Sequence, residues 1–180
     1  MRTLIILAHP DINNSKVNKA WKDELLKHKT DIKIHELYLA YPDWQIDVEF
    51  KQEQLEEYEN IVIQFPFYWY SYPPLLKKWF DEVFLHGWAY GSNGCKMMGK
   101  KIALAISIGD KEHNYDPNAP IGFSLETLLS PFKATLNHIK ADFMGYHTIY
   151  GSSYEATDEE IVENAQIYVE YLYGIFGIPR

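Results

Sequence analysis

The residues best suited to chemistry lie between positions 66 and 72, where Pro66 is followed by Phe67, Tyr68, Trp69, Tyr70, Ser71 and Tyr72. Five aromatic side chains in six positions are unusual for a loop. They can wall a site for a flat, π-rich ligand, or they can pack a core or a subunit contact, and composition leaves both open. A second group, His9, Ser15 and Asn18, has the residue types of a phosphate site. If a helix starts at Ser15, its first backbone N–H groups and the positive end of its dipole accept a phosphate without any lysine. Ser15 and Asn18 can add side-chain donors, although Ser15 also reads as a plain helix cap. His9 also reads as a satisfied histidine at a strand end. No Gly-rich GxGxxG loop and no Walker loop accompanies them. A third stretch, Ser107-Ile108-Gly109-Asp110, opens a polar, proline-containing loop. The nearby Asp110, Glu112, His113 and Asp116 lack a recognisable ligand spacing, so no metal is expected there.

These groups need elements to hold them. Continuous apolar runs at Leu4–Ala8, Ile61–Ile63 and Ile102–Ile108 suit strands buried on both faces, as in a parallel sheet. Pro66 stops the second run, because proline has no N–H to donate to a central strand. Ile32, Ile34 and Leu37 alternate with polar residues, which predicts a strand with one wetter face, as at a sheet edge. Phe143, Tyr146, Thr148 and Ile149 mark a fifth, less clearly patterned strand. Val17, Ala20, Trp21 and Leu25 predict a helix after the first strand. A solvated amphipathic helix follows over Val48 to Glu59, with Phe50, Leu55 and Tyr58 as its apolar residues. The next runs from Pro74 to about His86, and another from Phe123 to about Lys140 breaks near Pro131. The last opens on the capping box Thr157-Asp158-Glu159-Glu160 and turns Ile161, Ala165, Tyr168, Val169 and Leu172 inward. Strand and helix alternate five times. That order predicts an α/β fold, a doubly wound five-stranded parallel sheet of flavodoxin-like strand order 2-1-3-4-5, as a single domain over residues 1–180. The three chemical stretches then follow strands 1, 3 and 4 and converge on the crevice where the strand order reverses.

The chain has 180 residues, 47% of them hydrophobic and 16% aromatic, with a formal net charge of −8. Such an acidic balance disfavours non-specific nucleic-acid or anionic-membrane binding, so no nucleic-acid partner is expected. No apolar run approaches the roughly 20 residues that span a bilayer. The single cysteine, Cys95, excludes an internal disulfide, and the N-terminal residues lack a signal-peptide shape. A reducing, cytoplasmic setting fits both.

Four groups of residues carry a family resemblance: Ala8-His9-Pro10 with Ser15-Lys16-Val17-Asn18; Leu39-Ala40-Tyr41-Pro42-Asp43; Gln64 to Tyr70 with Pro74-Leu75-Leu76-Lys77; and His86 to Gly91. Together they resemble the flavodoxin-fold NAD(P)H:quinone oxidoreductases. The short bacterial branch is the nearest, with its general-stress, modulator-of-drug-activity and potassium-efflux ancillary types. The resemblance implies FMN, with FAD as the alternative. It implies a ping-pong reaction in which NAD(P)H gives two electrons as a hydride to the flavin and a quinone then takes them. It places the flavin phosphate and ribityl chain on His9, Ser15, Lys16, Val17 and Asn18, and the flavin ring against Pro66, Phe67, Tyr68 and Trp69. The backbone of Ser107, Ile108, Gly109 and Asp110 would meet the ring's polar edge, and Tyr115 would be a proton or hydrogen-bond partner. The family usually has Thr-Thr-Gly-Gly where this chain has Ser107-Ile108-Gly109-Asp110, so Asp110 either brings a carboxylate towards a ring that becomes anionic on reduction, which would make reduction harder and could disable the enzyme, or points its side chain to solvent. The resemblance also implies a homodimer with its active site at the subunit interface. The alternative it carries is a flavin-binding regulatory subunit of a glutathione-gated potassium-efflux system, partnered by a membrane transporter.

Overall fold

The computed structural model describes residues 2–28 and 32–177. In chain order the elements are β1 (Thr3–Leu7), α1 (Lys16–Leu25), β2 (Ile32–Glu36), α2 (Leu37–Ala40), α3 (Val48–Glu56), β3 (Asn60–Pro66) and α4 (Pro74–Val83). They continue with β4 (Lys101–Ser107), α5 (Leu125–Leu128), α6 (Ser130–His138), β5 (Asp142–Ile149) and α7 (Asp158–Phe176). The five strands form one sheet in the order β2-β1-β3-β4-β5, and every pairing is parallel. The α/β class and strand order expected from the alternating pattern are those observed.

Because side chains alternate across a strand, each buried run feeds two cores. Leu4, Ile6, Ile61, Ile63, Leu104 and Ile106 face a layer that contains Leu55, Leu76, Trp79 and Phe132 from α3, α4 and α6. Ile5, Val62, Ala103 and Ala105 face Val17, Trp21 and Leu25 of α1 and Ile161, Tyr168 and Val169 of α7. The helices therefore cover both faces of the sheet, and α1 lies beside α7.

Several boundaries differ from expectation. Leu37, expected to end the second strand, instead starts the four-residue α2. The helix after the aromatic loop stops at Val83, three residues before His86, because Phe84 leaves the helical backbone region with φ −84° and ψ +62°. The break expected near Pro131 is present: the helix is split at Leu129 into α5 and α6, with Pro131 in the first turn of α6. Of the apolar residues expected over Val48 to Glu59, Leu55 and Tyr58 are buried, but Phe50 is 52% exposed while Lys51 is fully buried. β5 carries a register shift against β4 beside Gly145, whose φ of +100° suits a bulge. That bulge explains why its alternation was faint in the sequence.

Among the described residues no helix is long and apolar enough to cross a membrane.

Candidate functional site

All five strands run in the same direction, so the loops after β1, β3, β4 and β5 leave from one edge of the sheet. Between them lies a cleft of about 400 Å³, within the range of small-molecule sites. Nine of the residues singled out from the sequence line it: His9, Ser15, Lys16 and Val17 after β1; Pro66, Phe67 and Tyr68 after β3; Ser107 and Gly109 after β4. Convergence of these segments follows from the parallel topology, since β1, β3 and β4 are adjacent strands.

The first segment is a helix start. Ser15 is the cap of α1, and its Oγ accepts from the Asn18 N–H at 3.2 Å. The Lys16 and Val17 N–H groups belong to the first turn and have no acceptor inside the helix, so they remain for an anion. The Lys16 ammonium stands 2.9 Å from Asp158 in an exposed ion pair. His9 Nδ1 accepts from the Asp11 N–H at 3.1 Å, which leaves Nε2 to carry the proton in the neutral ring. Burial is the main cause that holds the His9 pKa below the ordinary histidine value, against the opposing charge of Asp11. The ring is thus a neutral Nε2–H donor at pH 7.

Asn18 is not on the lining. It is buried, and its side-chain amide donates to Ser107 Oγ at 2.8 Å. Buried Gln64 donates to the Asn18 carbonyl at 3.1 Å. Asn18 therefore ties the start of α1 to β3 and β4 and acts through position instead of through direct contact with the cleft.

The aromatic segment is a tight turn. Phe67 N–H continues the ladder to the Ser107 carbonyl at 2.9 Å, and Ser71 N–H closes back on the Tyr68 carbonyl at 3.0 Å. The two central residues, Trp69 and Tyr70, have φ of +48° and +62°, a pairing that turns of this hand normally give to Asn-Gly. Aromatic residues in the left-handed region are strained, and such strain gathers at functional sites. Trp69, at the tip, is 92% exposed and off the lining, so the wall of the cleft is Pro66, Phe67 and Tyr68 alone.

Ile108 is fully buried and Asp110 and Tyr115 also lie off the lining. Tyr115 packs 6.3 Å from Phe67, 6.4 Å from Tyr70 and 5.6 Å from Tyr150, centroid to centroid. Burial, then the charge of Asp110, pushes its phenol up to about 12, so its hydroxyl keeps its proton at neutral pH.

Three lining residues were missed: Asn14, Ser152 and Ser153. The two serines follow Gly151, whose positive φ of +66° turns the chain after β5. A polar Gly-Ser-Ser run straight after a strand at the ligand edge was the available signal.

The comparisons agree with this geometry. Residues 1–172 match the model of a family described as having a flavodoxin-like fold. A Bacillus subtilis (strain 168) protein named uncharacterized NAD(P)H oxidoreductase YdeQ is 43% identical over 180 residues, covering all of this chain and 90% of the relative. A general stress protein 14 of Treponema denticola, solved in complex with FMN, superposes with a TM-score of 0.93 at 42% identity, over 97% of this chain and 99% of that one. An NADPH-quinone reductase of P. pentosaceus superposes with a TM-score of 0.80 at 29% identity, over 93% and 97%. With a family match over almost its whole length, this chain belongs to the flavodoxin-like fold family.

Proposed function

We propose that this protein is an FMN-dependent NAD(P)H:quinone oxidoreductase. The observation that carries the reading is one cleft that joins an anion-accepting helix start, an apolar and aromatic wall and a backbone donor segment. Ser15, Lys16 and Val17 supply the first, Pro66 to Tyr68 the second, and the chain around Gly109 the third. Those are the three things FMN needs: a partner for its phosphate, a surface for its ring, and donors for the ring's polar edge. The FMN of the Treponema relative and the activities for which the other two are named support the same assignment.

When bound, FMN supplies two-electron transfer between a nicotinamide and a quinone that occupy the site in turn, a ping-pong scheme. The chain's part is binding, orientation and electrostatics. The α1 dipole and Lys16 offset the phosphate charge, and the Lys16 ammonium would exchange Asp158 for phosphate. His9 offers a neutral Nε2–H donor. Pro66, Phe67 and Tyr68 exclude water from one side of the ring. Tyr115 holds its hydroxyl proton and supports the wall through Phe67 and Tyr70.

An anaerobic titration of the flavin-loaded protein with NADPH and then NADH, followed by menadione, tests the reading. Full bleaching of the flavin band near ~450 nm, reversed by menadione, is the expected result. Bound flavin that neither nucleotide reduces would overturn it and favour the regulatory subunit of a potassium-efflux system.

We also place the active site at the interface of a homodimer. The support is the tip of the aromatic turn, where Trp69 is 92% exposed and Tyr68 and Tyr70 are each 43% exposed, an arrangement suited to covering by a second copy. Light scattering should return the mass of two chains, and Trp69→Asp should lower it towards one. A wild-type mass of one chain would sink the dimer.

A further inference from the structure

The loops after β4 and β5 are fastened together behind the cleft wall. The backbone carbonyls of Ile108, Gly109 and Asp110 accept from the N–H groups of Ser152, Ser153 and Gly151 at 3.0, 3.4 and 2.8 Å. The Asp110 carboxylate adds a second layer. Its Oδ1 accepts from the Tyr154 hydroxyl at 2.7 Å, from Asn114 Nδ2 at 2.8 Å and from the Lys111 N–H at 2.8 Å. An ion pair between Lys111 and Glu155 closes the same seam. The fit is tight: a Cβ on Gly109 would meet Ser153 Oγ at 2.5 Å.

Two consequences follow. The carbonyls of this segment are spent on the neighbouring loop, whereas the N–H groups of Gly109 and Asp110 donate to no protein acceptor among the described residues. Unspent amides on a cleft-lining turn are available to a ligand acceptor. And the Asp110 carboxylate is not on the cleft lining; it is engaged by three donors, the Tyr154 hydroxyl first among the causes that hold its carboxyl below the usual range. It stays ionised, but its geometry is that of a fastening.

We propose that Asp110 and Tyr154 form a clasp of positioning residues that holds the Gly109–Asp110 amides as donors for the polar edge of the flavin ring. The proposal rests on the flavin reading above. It assigns Tyr154 a role and gives Asp110 a structural reason in place of a disabling one. Loosening the clasp lets the donor segment drift, so the ring loses hydrogen bonds that strengthen as it takes on negative charge.

The test measures FMN affinity by fluorescence quenching and the midpoint potential of the bound flavin. Tyr154→Phe removes one hydrogen bond and keeps the carboxylate. It should weaken FMN binding about three- to tenfold, the scale of one charge-assisted bond at an exposed position, and should shift the potential negative. Tyr154 is 65% exposed, so the melting temperature should not move. Asp110→Asn keeps an oxygen for Tyr154 and Asn114, so it should retain more FMN affinity than Asp110→Ala. Without the negative charge its potential should shift positive. Opposite shifts in Tyr154→Phe and Asp110→Asn separate positioning from charge. If wild type binds FMN and Tyr154→Phe matches it in affinity and potential, the clasp is overturned and the flavin reading stands. A wild type that binds no FMN overturns both.

Discussion

Trp21→Ala is expected to destabilise the protein by about 3–5 kcal/mol, the range for removing a fully buried aromatic, and to weaken FMN binding with it. Trp21 is fully buried on the face of α1 that meets α7. Its ring lies 5.3 Å from His147 and 5.2 Å from Tyr168, centroid to centroid. Its indole N–H donates to Asn164 Oδ1 at 2.8 Å, which is also 2.9 Å from His147 Nε2. Asn164 Nδ2 in turn donates to the Thr148 carbonyl of β5 at 3.2 Å. Truncation therefore leaves a large void and takes one partner from a half-buried amide. The functional effect follows from the same helix: α1 carries the Ser15–Val17 donors at its start, between one and two turns from Trp21, and a looser α1 orders them less well. Trp21→Phe keeps most of the packing and loses the donor, so it should cost about 1–2 kcal/mol. Urea unfolding of the three proteins measures the order. A loss under about 1 kcal/mol for Trp21→Ala would show that α7 and β5 close the void unaided, and that packing at Trp21 does not support the site.

How much of this was legible in the sequence depended on burial. The strands at Leu4–Ala8, Ile61–Ile63 and Ile102–Ile108 were plain, because a parallel sheet covered on both faces demands unbroken apolar runs. Ser15, Pro66 and the Thr157 capping box announce themselves because each changes a backbone hydrogen bond. The ends of the first, third and fourth strands therefore located most of the cleft. What was missed depends on contacts remote in sequence. Asn18 looked like a ligand donor, but only the fold brings Ser107 and Gln64 to it. The position of Trp69 outside the wall depends on a turn whose two central residues carry positive φ, which no propensity for tryptophan and tyrosine foretells. Asp110 looked like a charge against the flavin until Tyr154, 44 residues away, was seen to engage it. Lys51 was hidden most completely, because a charged residue on an amphipathic helix reads as solvent-facing.

Lys51 yields the second large effect, a stability that rises with pH. The side chain is fully buried, its ammonium 2.6 Å from Gln54 Oε1 and 4.9 Å above the Phe50 ring, with Tyr41 at 6.0 Å. Burial pushes its pKa from 10.5 down to about 8, against the pull of Asp47. His35, on β2, is pushed down to about 3, by burial first and then by the charges of Lys51 and Lys33; its Nε2 is buried without a partner among the described residues. Both are bases whose folded pKa lies below the unfolded one, so in each window the unfolded chain binds more protons and stability rises with pH. For His35 the window runs from about 3 to 6.5, and for Lys51 from about 8 to 10.5. At pH 7 His35 is neutral and costs nothing by this route, whereas Lys51 is still charged and its penalty, roughly 3 kcal/mol at ~1.4 kcal/mol per pKa unit, is fully present. Lys51→Met keeps the length of the stem and removes the charge. After the lost bond to Gln54 and the lost ring contacts are deducted, it should stabilise the protein at pH 7 by about 1–2 kcal/mol. Near pH 10.5 the advantage should vanish, because the wild-type amine is then neutral in the folded chain. The same substitution should raise the pKa of His35 and lessen the loss of stability between pH 6.5 and 3. Urea midpoints at pH 5, 7 and 10.5 read all three effects. A Lys51→Met protein that is less stable than wild type by the same amount at every pH would mean that the ammonium is well solvated in the fold, and that its burial carries no electrostatic cost.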